Sequence, residues 1–306
     1  MRAERAAWTA AAVALVVWAA AFAAIRAALD ELSPTELSAA RLLVASAVFG
    51  AAAPIVRYPL PHRRDLARLA ACGAAGMAGY QLFLTIGERR VEAGTASLIV
   101  NTAPLFATVL AAVLLGERIT GRTVAGVAVA FAGSSVIVAG GADVSVNVGA
   151  LWVLGAAVCH AVYFVLQKPL LGRYRAADVV AWSTWLGTAL LLPLSAHVPA
   201  AVGATDIDTW AAVAFLGVGA SVIGFFSWSL ALTRLPVSVA SAALYCVPVI
   251  AIAVAYVVLG EQPAASDVVG GAVALAGVAL ATTTRRPQQI RGPVKVDEPT
   301  ASPSGG

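Results

Sequence analysis

The sequence predicts an all-α polytopic membrane protein, with ten transmembrane helices arranged as two inverted five-helix repeats. Three observations carry this. The chain is 60% hydrophobic and 12% charged, with a mean hydropathy of +0.86, whereas soluble domains carry roughly 25% charged residues. Apolar runs of the ~17–25 residues that a bilayer crossing needs recur along its length. Finally, residues 93–137 and 237–281 align without a gap at one offset, 248 − 104 = 144. That offset places Pro104 on Pro248, Gly116 on Gly260, Glu117 on Glu261, Gly126 on Gly270 and Gly133 on Gly277, with Ser97/Ser241 and Leu115/Leu259 also matching. Matches of Ala or Val carry no weight in so Ala- and Val-rich a chain. The runs lack the polar–apolar alternation of an outer-membrane barrel.

The elements follow in order. After Arg2 and Arg5, the first apolar run continues to about Leu29, longer than the roughly 7–15 residues of a signal-peptide core. It reads as a retained helix, 6–29. Helices are then expected at 35–56, 66–87, 93–115, 120–140, 148–170, 178–198, 210–233, 237–259 and 265–284. Turn chemistry separates them at Ser33-Pro34, Pro59 to Asp65, Gly116-Glu117, Gly140-Gly141 and Gly260 to Pro263. The first repeat spans 6–140 and the second, inverted, 148–284; residues 285–306 are Pro, Gly, Ser and charge, and read as a disordered cytoplasmic tail. Cys72, Cys159 and Cys246 lie within apolar runs, without metal-ligand spacing or a disulfide framework, and read as small apolar fillers.

Charge tests the count. With ten spans and both termini in the cytoplasm, sixteen of the 20 Lys and Arg residues fall on the cytoplasmic side, and only Arg26, Arg41, Arg89 and Arg90 fall elsewhere. This is the positive-inside bias expected of a cytoplasmic-membrane protein. The repeats carry the same signal. Arg118 and Arg122 follow Gly116-Glu117, but their equivalents are Gln262 and Ser266. A repeat with an odd number of helices is inverted, so the second loop lies outside, where basic residues are disfavoured.

A second match at offset 142 pairs Trp18-Ala19-Ala20-Ala21-Phe22 with His160-Ala161-Val162-Tyr163-Phe164. The runs Ala96-Ser97, Ala103-Pro104-Leu105-Phe106 and Leu114-Leu115-Gly116-Glu117-Arg118-Ile119-Thr120 resemble the EamA domain of the drug/metabolite transporter superfamily. Trp18 to Phe22 and Arg41-Leu42 are similar too. The resemblance covers about residues 6–284. Ala19, where Gly is common, and Gln262-Pro263 depart from the pattern. The resemblance implies ten helices in two inverted repeats, a central cavity and export of small metabolites: amino acids, nucleobases or drug-like solutes.

Proline removes a backbone donor, so Pro104 and Pro248 should free the carbonyls of Val100 and Leu244. In lipid such carbonyls must face protein or a wet cavity. Both kinks are therefore expected at a midplane substrate cavity, with Asn101 and Tyr245 beside them. His160 is the one titratable residue placed near mid-membrane, a candidate for substrate contact or proton coupling. Trp18, Tyr80, Gln81, Tyr163 and Trp228 complete the expected wall, with Trp182 and Trp185 as further aromatic candidates, since aromatics offer flat apolar faces with a polar handle. Arg41 is expected to snorkel in the outer third of its helix as a structural anchor, paired with Asp30, Glu31 or Glu36. Glu88, Arg89, Arg90 and Glu92 read as a solvated rim, with Glu88 able to reach the cavity mouth. Glu117 and Glu261 read as structural, each near the positive end of the next helix.

Motifs narrow the function. There is no His-Glu-x-x-His, no phosphate-binding glycine loop and no mid-membrane carboxylate pair. The expected function is a secondary transporter exporting small solutes by alternating access. A flippase for lipids or polyprenyl carriers is the alternative; a membrane-embedded enzyme ranks lower, and a channel fits kinked inverted repeats less well. No cofactor, metal or nucleic acid is expected. The partners are a small-molecule substrate, the bilayer and, as a candidate coupling ion, the proton; monomer and homodimer both stay open.

Overall fold

The computed structural model describes residues 2–91, 93–141, 148–196, 198–203, 205–250, 252–253 and 264–282. Among the described residues ten main helices follow one another: α1 (Arg2–Ala28), α2 (Pro34–Val56), α3 (Arg63–Glu88), α4 (Ala96–Leu115), α5 (Gly121–Gly141), α6 (Val148–Leu170), α7 (Ala176–Leu194), α8 (Ile207–Leu232), α9 (Val237–Ile250) and α10 (Ala265–Thr282). Seven of them are long and apolar enough to cross a membrane, and α5, α9 and α10 contribute shorter apolar stretches among the described residues. The outer surface is apolar as well as the core: Val113 is 74% exposed and Leu151 65%. Such a surface suits acyl chains rather than water. The expected tail at 285–306 and Glu261 lie outside the described residues.

Polar links between helix ends order the bundle. Asp65, at the start of α3, accepts from Arg173 Nη1 at 2.5 Å and from the Tyr174 hydroxyl at 2.9 Å. At the other end, Glu31 Oε2 accepts from the backbone N–H of Asp206 at 3.1 Å. Arg26 Nη1 donates to the Glu88 carbonyl at 3.2 Å, joining the ends of α1 and α3. Lys168, near the end of α6, donates to the carbonyls of Leu232 and Leu235. Each link joins ends that strict alternation of ten spans puts on one face.

Glu117 makes a similar link, but not the expected one. Gly116 adopts φ +65°, which ends α4 as a glycine cap. The Glu117 carboxylate then accepts from the backbone N–H groups of Val237 and Ser238, at 2.7 and 3.1 Å, and from the Ser238 hydroxyl at 2.5 Å. It therefore caps α9, in the other half of the chain, rather than the next helix. The physical reason is unchanged: a carboxylate stabilises the unpaired N–H groups of a helix start.

The matched glycines meet. A Cβ at Gly126 would lie 2.4 Å from Ala281 N, and one at Gly133 would lie 2.3 Å from Ala274 N. Reciprocally, one at Gly277 would lie 2.2 Å from Ala130 N, and one at Gly270 would lie 2.7 Å from the Gly133 carbonyl. So α5 and α10 cross antiparallel, backbone on backbone, at four glycines. Without a hydrophobic driving force between helices in lipid, close approach of small residues supplies the packing.

Four spans are irregular. π-helical segments interrupt α3 at Gly73–Gly79 and α8 at Phe215–Gly224. Residues 93–115 divide into Ala93–Val100 and Ala103–Leu115, separated by Asn101 and Thr102. α9 narrows to a 3₁₀ turn at Ala243–Cys246, just before Pro248. α7 also stops earlier than expected: its last turn is 3₁₀, Leu192–Leu194, because Pro193 offers no N–H to continue the ladder.

Candidate functional site

The irregular segments converge on one region. At the α4 break the Thr102 N–H and hydroxyl both turn back to the Ile99 carbonyl, at 3.0 and 2.7 Å, and the ladder restarts when Phe106 N–H reaches Thr102 O at 3.3 Å. Pro104 has no N–H for the Val100 carbonyl. Val100, Asn101 and Ala103 line a cleft of about 370 Å³, with Leu244 and Val247 of α9 opposite and Trp18, Phe22, Tyr80 and His160 completing it. A second cleft of about 290 Å³ shares Trp18, Phe22 and Tyr80 and extends toward Arg41, Leu84 and Phe225. Neither has free room for much more than a water molecule in this arrangement, so a solute enters only when the walls part.

Aromatic rings wall and nearly close this space. His160 stacks on Tyr80 at 4.1 Å and meets Phe164 at 4.2 Å and Trp18 at 5.2 Å. Trp18 is held by a hydrogen bond from its Nε1–H to the Ala220 carbonyl, 3.2 Å away, inside the π-helical segment of α8. A wider turn leaves backbone carbonyls for side-chain donors, one reason such segments recur at functional sites. There is no slack behind the ring, since a Cβ at Gly224 would lie 2.5 Å from the same Nε1.

The polar groups of the cleft are unsatisfied. His160 is 3% exposed, and neither ring nitrogen has a hydrogen-bond partner. Asn101 is 5% exposed, and its Nδ2 has none. A buried unpaired polar group costs about 1–3 kcal/mol. Such groups turned toward a cleft await a ligand or water.

The sequence-predicted residues do not all meet here. Trp18, Tyr80, Asn101 and His160 line the space. The kinks at Pro104 and Pro248 border it through Val100 and Leu244. Trp228 packs behind it, 4.8 Å from Phe164 and 5.5 Å from Trp18, with no lining role. Gln81, one residue past Tyr80, turns away and donates to the Ser221 hydroxyl at 3.3 Å. Tyr163 is fully buried against Gly76, where even a methyl group would lie 2.3 Å from its ring. Tyr245 packs with Val127, Ala130, Ala242 and Ala281, against α5 and α10. The 3₁₀ turn sets its direction and leaves Leu244 and Val247 facing the cleft instead. Trp182 and Trp185 donate to the Pro59 and Ser46 carbonyls, at 3.0 and 3.2 Å, and brace α7 against α2 and the chain beyond it.

Two charged residues depart from expectation. Arg41 is 2% exposed, and its Nε and Nη1 have no partner. Glu36 is held by Ser33 in a capping box and Glu31 by Asp206, so neither anchors it. Glu88 is 1% exposed with both carboxylate oxygens unpartnered, rather than part of a solvated rim. Its neighbour Gly87 packs so closely on α6 that a Cβ would lie 2.3 Å from Val153, which draws the end of α3 inward. The four-residue spacing Tyr80, Leu84, Glu88 was the available signal, because it puts all three on one helix face. Among the described residues, no three His, Cys, Asp or Glu side chains cluster as a metal site.

The EamA-like transporter family model matches twice, over residues 6–139 and 147–283. The chain belongs to the EamA-like transporter family. As an EamA-like transporter it is a multi-pass membrane protein and not an enzyme. It is similar to a probable terminal-alkyne amino-acid exporter of Streptantibioticus cattleyicolor, 44% identical over 92% of this chain and 94% of that one. It is 30% identical to the uncharacterized transporter YdfC of Bacillus subtilis, over 86% of each chain. A probable amino-acid metabolite efflux pump of Escherichia coli is 25% identical over 86% of this chain and 90% of its own. A solved crystal structure superposes with a TM-score of 0.73 at 24% identity, covering 92% of this chain and 99% of that one, a likeness of fold.

Proposed function

We propose that this EamA-like transporter exports small amino-acid-like metabolites across the cytoplasmic membrane by alternating access, and that the ring-walled cleft is its substrate site. The observation that carries the reading is the pair Asn101 and His160. Both are buried, both have unpartnered polar atoms, and both face one space between broken α4 and kinked α9. Relatives named as amino-acid exporters and efflux pumps support the cargo class and the outward direction.

An inverted pair of repeats, 6–140 and 148–284, underlies the motion. The antiparallel α5–α10 crossing supports inversion, because the 144-residue offset that carries Gly126 to Gly270 and Gly133 to Gly277 also exchanges the two ends of that contact. A two-fold axis in the membrane plane does this; parallel repeats do not. The positive-inside bias supports a cytoplasmic position for both termini. In the arrangement described, rings 4.1–5.2 Å apart cover His160 on several sides, as in an occluded state. Access then requires Trp18 and Phe22 of α1 to part from Tyr80 of α3.

The test is efflux from cells overproducing the protein and preloaded with the terminal-alkyne amino acid propargylglycine. The unchanged protein should lower the cytoplasmic amount and raise the external one. Asn101→Ala and His160→Gln should each reduce the rate, while Tyr245→Phe should not. Equal rates for all variants would remove the cleft from the transport path.

A further inference from the structure

We propose that Arg41 and Glu88 form a receptor for the charged backbone of a free α-amino acid, Arg41 taking the α-carboxylate and Glu88 the α-ammonium while the side chain lies among the cleft rings. This rests on the reading of the cleft as the substrate site. Arg41 lines the cleft directly, beside Trp18, Phe22, Tyr80 and Leu84. Glu88 follows Tyr80 and Leu84 along one face of α3, a turn further out. Tyr80 and Leu84, which line the cleft with Arg41, therefore connect it to Glu88 along that face.

An Arg and a Glu this deeply buried would ordinarily pair with each other. They do not. Ion pairs within 4.0 Å form at Asp65 and Asp178, and among the described residues neither Arg41 nor Glu88 takes part in one. Arg26 does not complete the Glu88 carboxylate either, since its guanidinium donates to the Glu88 backbone carbonyl. An unpaired charge inside a membrane is costly, so evolution keeps one there only for function. The ligand must match both signs. An anion would leave Glu88 bare, and a cation would leave Arg41 bare. A zwitterion satisfies both at once. The planar guanidinium fork is the side chain best suited to a carboxylate.

The experiment uses purified full-length protein in detergent and three probes with the same tail: propargylglycine, pent-4-ynoate, which lacks the ammonium, and but-3-ynylamine, which lacks the carboxylate. Binding is read by the ligand-induced rise in thermal midpoint and by direct titration. R41Q should weaken propargylglycine and pent-4-ynoate by about tenfold or more and leave but-3-ynylamine unchanged. E88Q should weaken propargylglycine and but-3-ynylamine and leave pent-4-ynoate unchanged. Without probe, R41Q should melt no lower than the parent, because it removes an unpaired charge. R41K, which keeps the charge, should also lose affinity for the two carboxylates through loss of the fork. Equal loss for all probes, no loss for any, or a marked fall in the probe-free midpoint would overturn the proposal and leave Arg41 a structural anchor. Weakened propargylglycine binding in Asn101→Ala but not in R41Q or E88Q would overturn it and preserve the cleft as substrate site. Binding of no probe by the unchanged protein would overturn both.

Discussion

Gly277→Val attacks the joint between the two halves. A Cβ at this position lies 2.2 Å from Ala130 N, 2.6 Å from Ala130 Cα and 2.7 Å from the Gly126 carbonyl. Ordinary contact begins at 3.4 Å, so α5 and α10 must separate by 3.4 − 2.2 = 1.2 Å at this end. All three opposed atoms are backbone, and no rotamer change relieves them. A gap of roughly 0.5–1 Å forfeits a quarter to a half of each dispersion contact along the crossing, and overpacking of this kind costs roughly 1–3 kcal/mol. Gly133→Val acts three residues of helix from Ala130, about 4.5 Å along the crossing, where its Cβ meets Ala274 N at 2.3 Å. Once one substitution has parted the helices the second has less to displace, so the double variant should cost less than the sum. Gly50→Ala is the control. Nothing lies within 4 Å of its Cβ, and a mid-helix Gly→Ala change should gain about 0.5–1 kcal/mol. Thermal unfolding in detergent, followed by the loss of the monodisperse peak, should rank Gly50→Ala at or above the parent and Gly277→Val several degrees below it. A Gly277→Val midpoint equal to that of Gly50→Ala, or full additivity with Gly133→Val, would refute a rigid backbone crossing.

Glu117→Ala removes three acceptor contacts from the first turn of α9, and should cost roughly 1–2 kcal/mol, read as a lower midpoint and faster amide exchange at Val237 and Ser238. Tyr245→Phe deletes a buried hydroxyl that has no partner, so the midpoint should hold or rise by up to roughly 1 kcal/mol equivalent. A fall would mean that the hydroxyl is satisfied. Asp206 accepts from the Thr209 N–H at 2.8 Å, and that bond holds its carboxyl below the ordinary 3.8. The sign follows: a depressed carboxyl stabilises the cap above the unfolded value and loses that contribution as pH falls through the folded one. Exchange at Thr209 should therefore rise in acid below pH 3.8, and Asp206→Asn should flatten that dependence.

The helices and the repeat were legible because a bilayer imposes a length and a charge asymmetry that survive in any sequence crossing it. The matched glycines of α5 and α10 were visible too, but their partners were not, since a repeat reports equivalence rather than contact. The lining of the candidate cleft was legible only in part. Asn101 and His160 stood out as polar groups in apolar runs. Tyr245 misled, because the 3₁₀ turn at Ala243–Cys246 rotates α9 relative to an ideal helix and turns that ring toward α5 and α10. Gln81 misled similarly, as the π-helical segment before Tyr80 resets which face of α3 meets the cleft. The sequence makes Arg41 a snorkelling anchor and Glu88 part of a solvated rim within reach of the cavity mouth, because charges nearby in the chain look like sufficient partners. Those charges are engaged elsewhere: Glu36 by Ser33, and Glu31 by Asp206.

The irregular backbone and the unsatisfied side chains share one explanation. A transporter's site must be stable enough to exist empty, yet gain enough from its ligand to favour a different arrangement of the halves. Regular helices with fully paired side chains would bind nothing and have one packing. Here α4 and α9 break at prolines related by the repeat, and α3 and α8 widen through π-helical turns in matching helices. Each break withdraws backbone groups from the ladder next to the cleft. Asn101, His160, Arg41 and Glu88 add polar atoms left without partners in the same region. Away from it the joint at α5 and α10 is backbone on backbone, with no room to deform. On the proposed mechanism, a rigid joint away from an unsatisfied centre lets the halves rock as bodies, and differential satisfaction of those polar groups is what a bound solute would use to drive them.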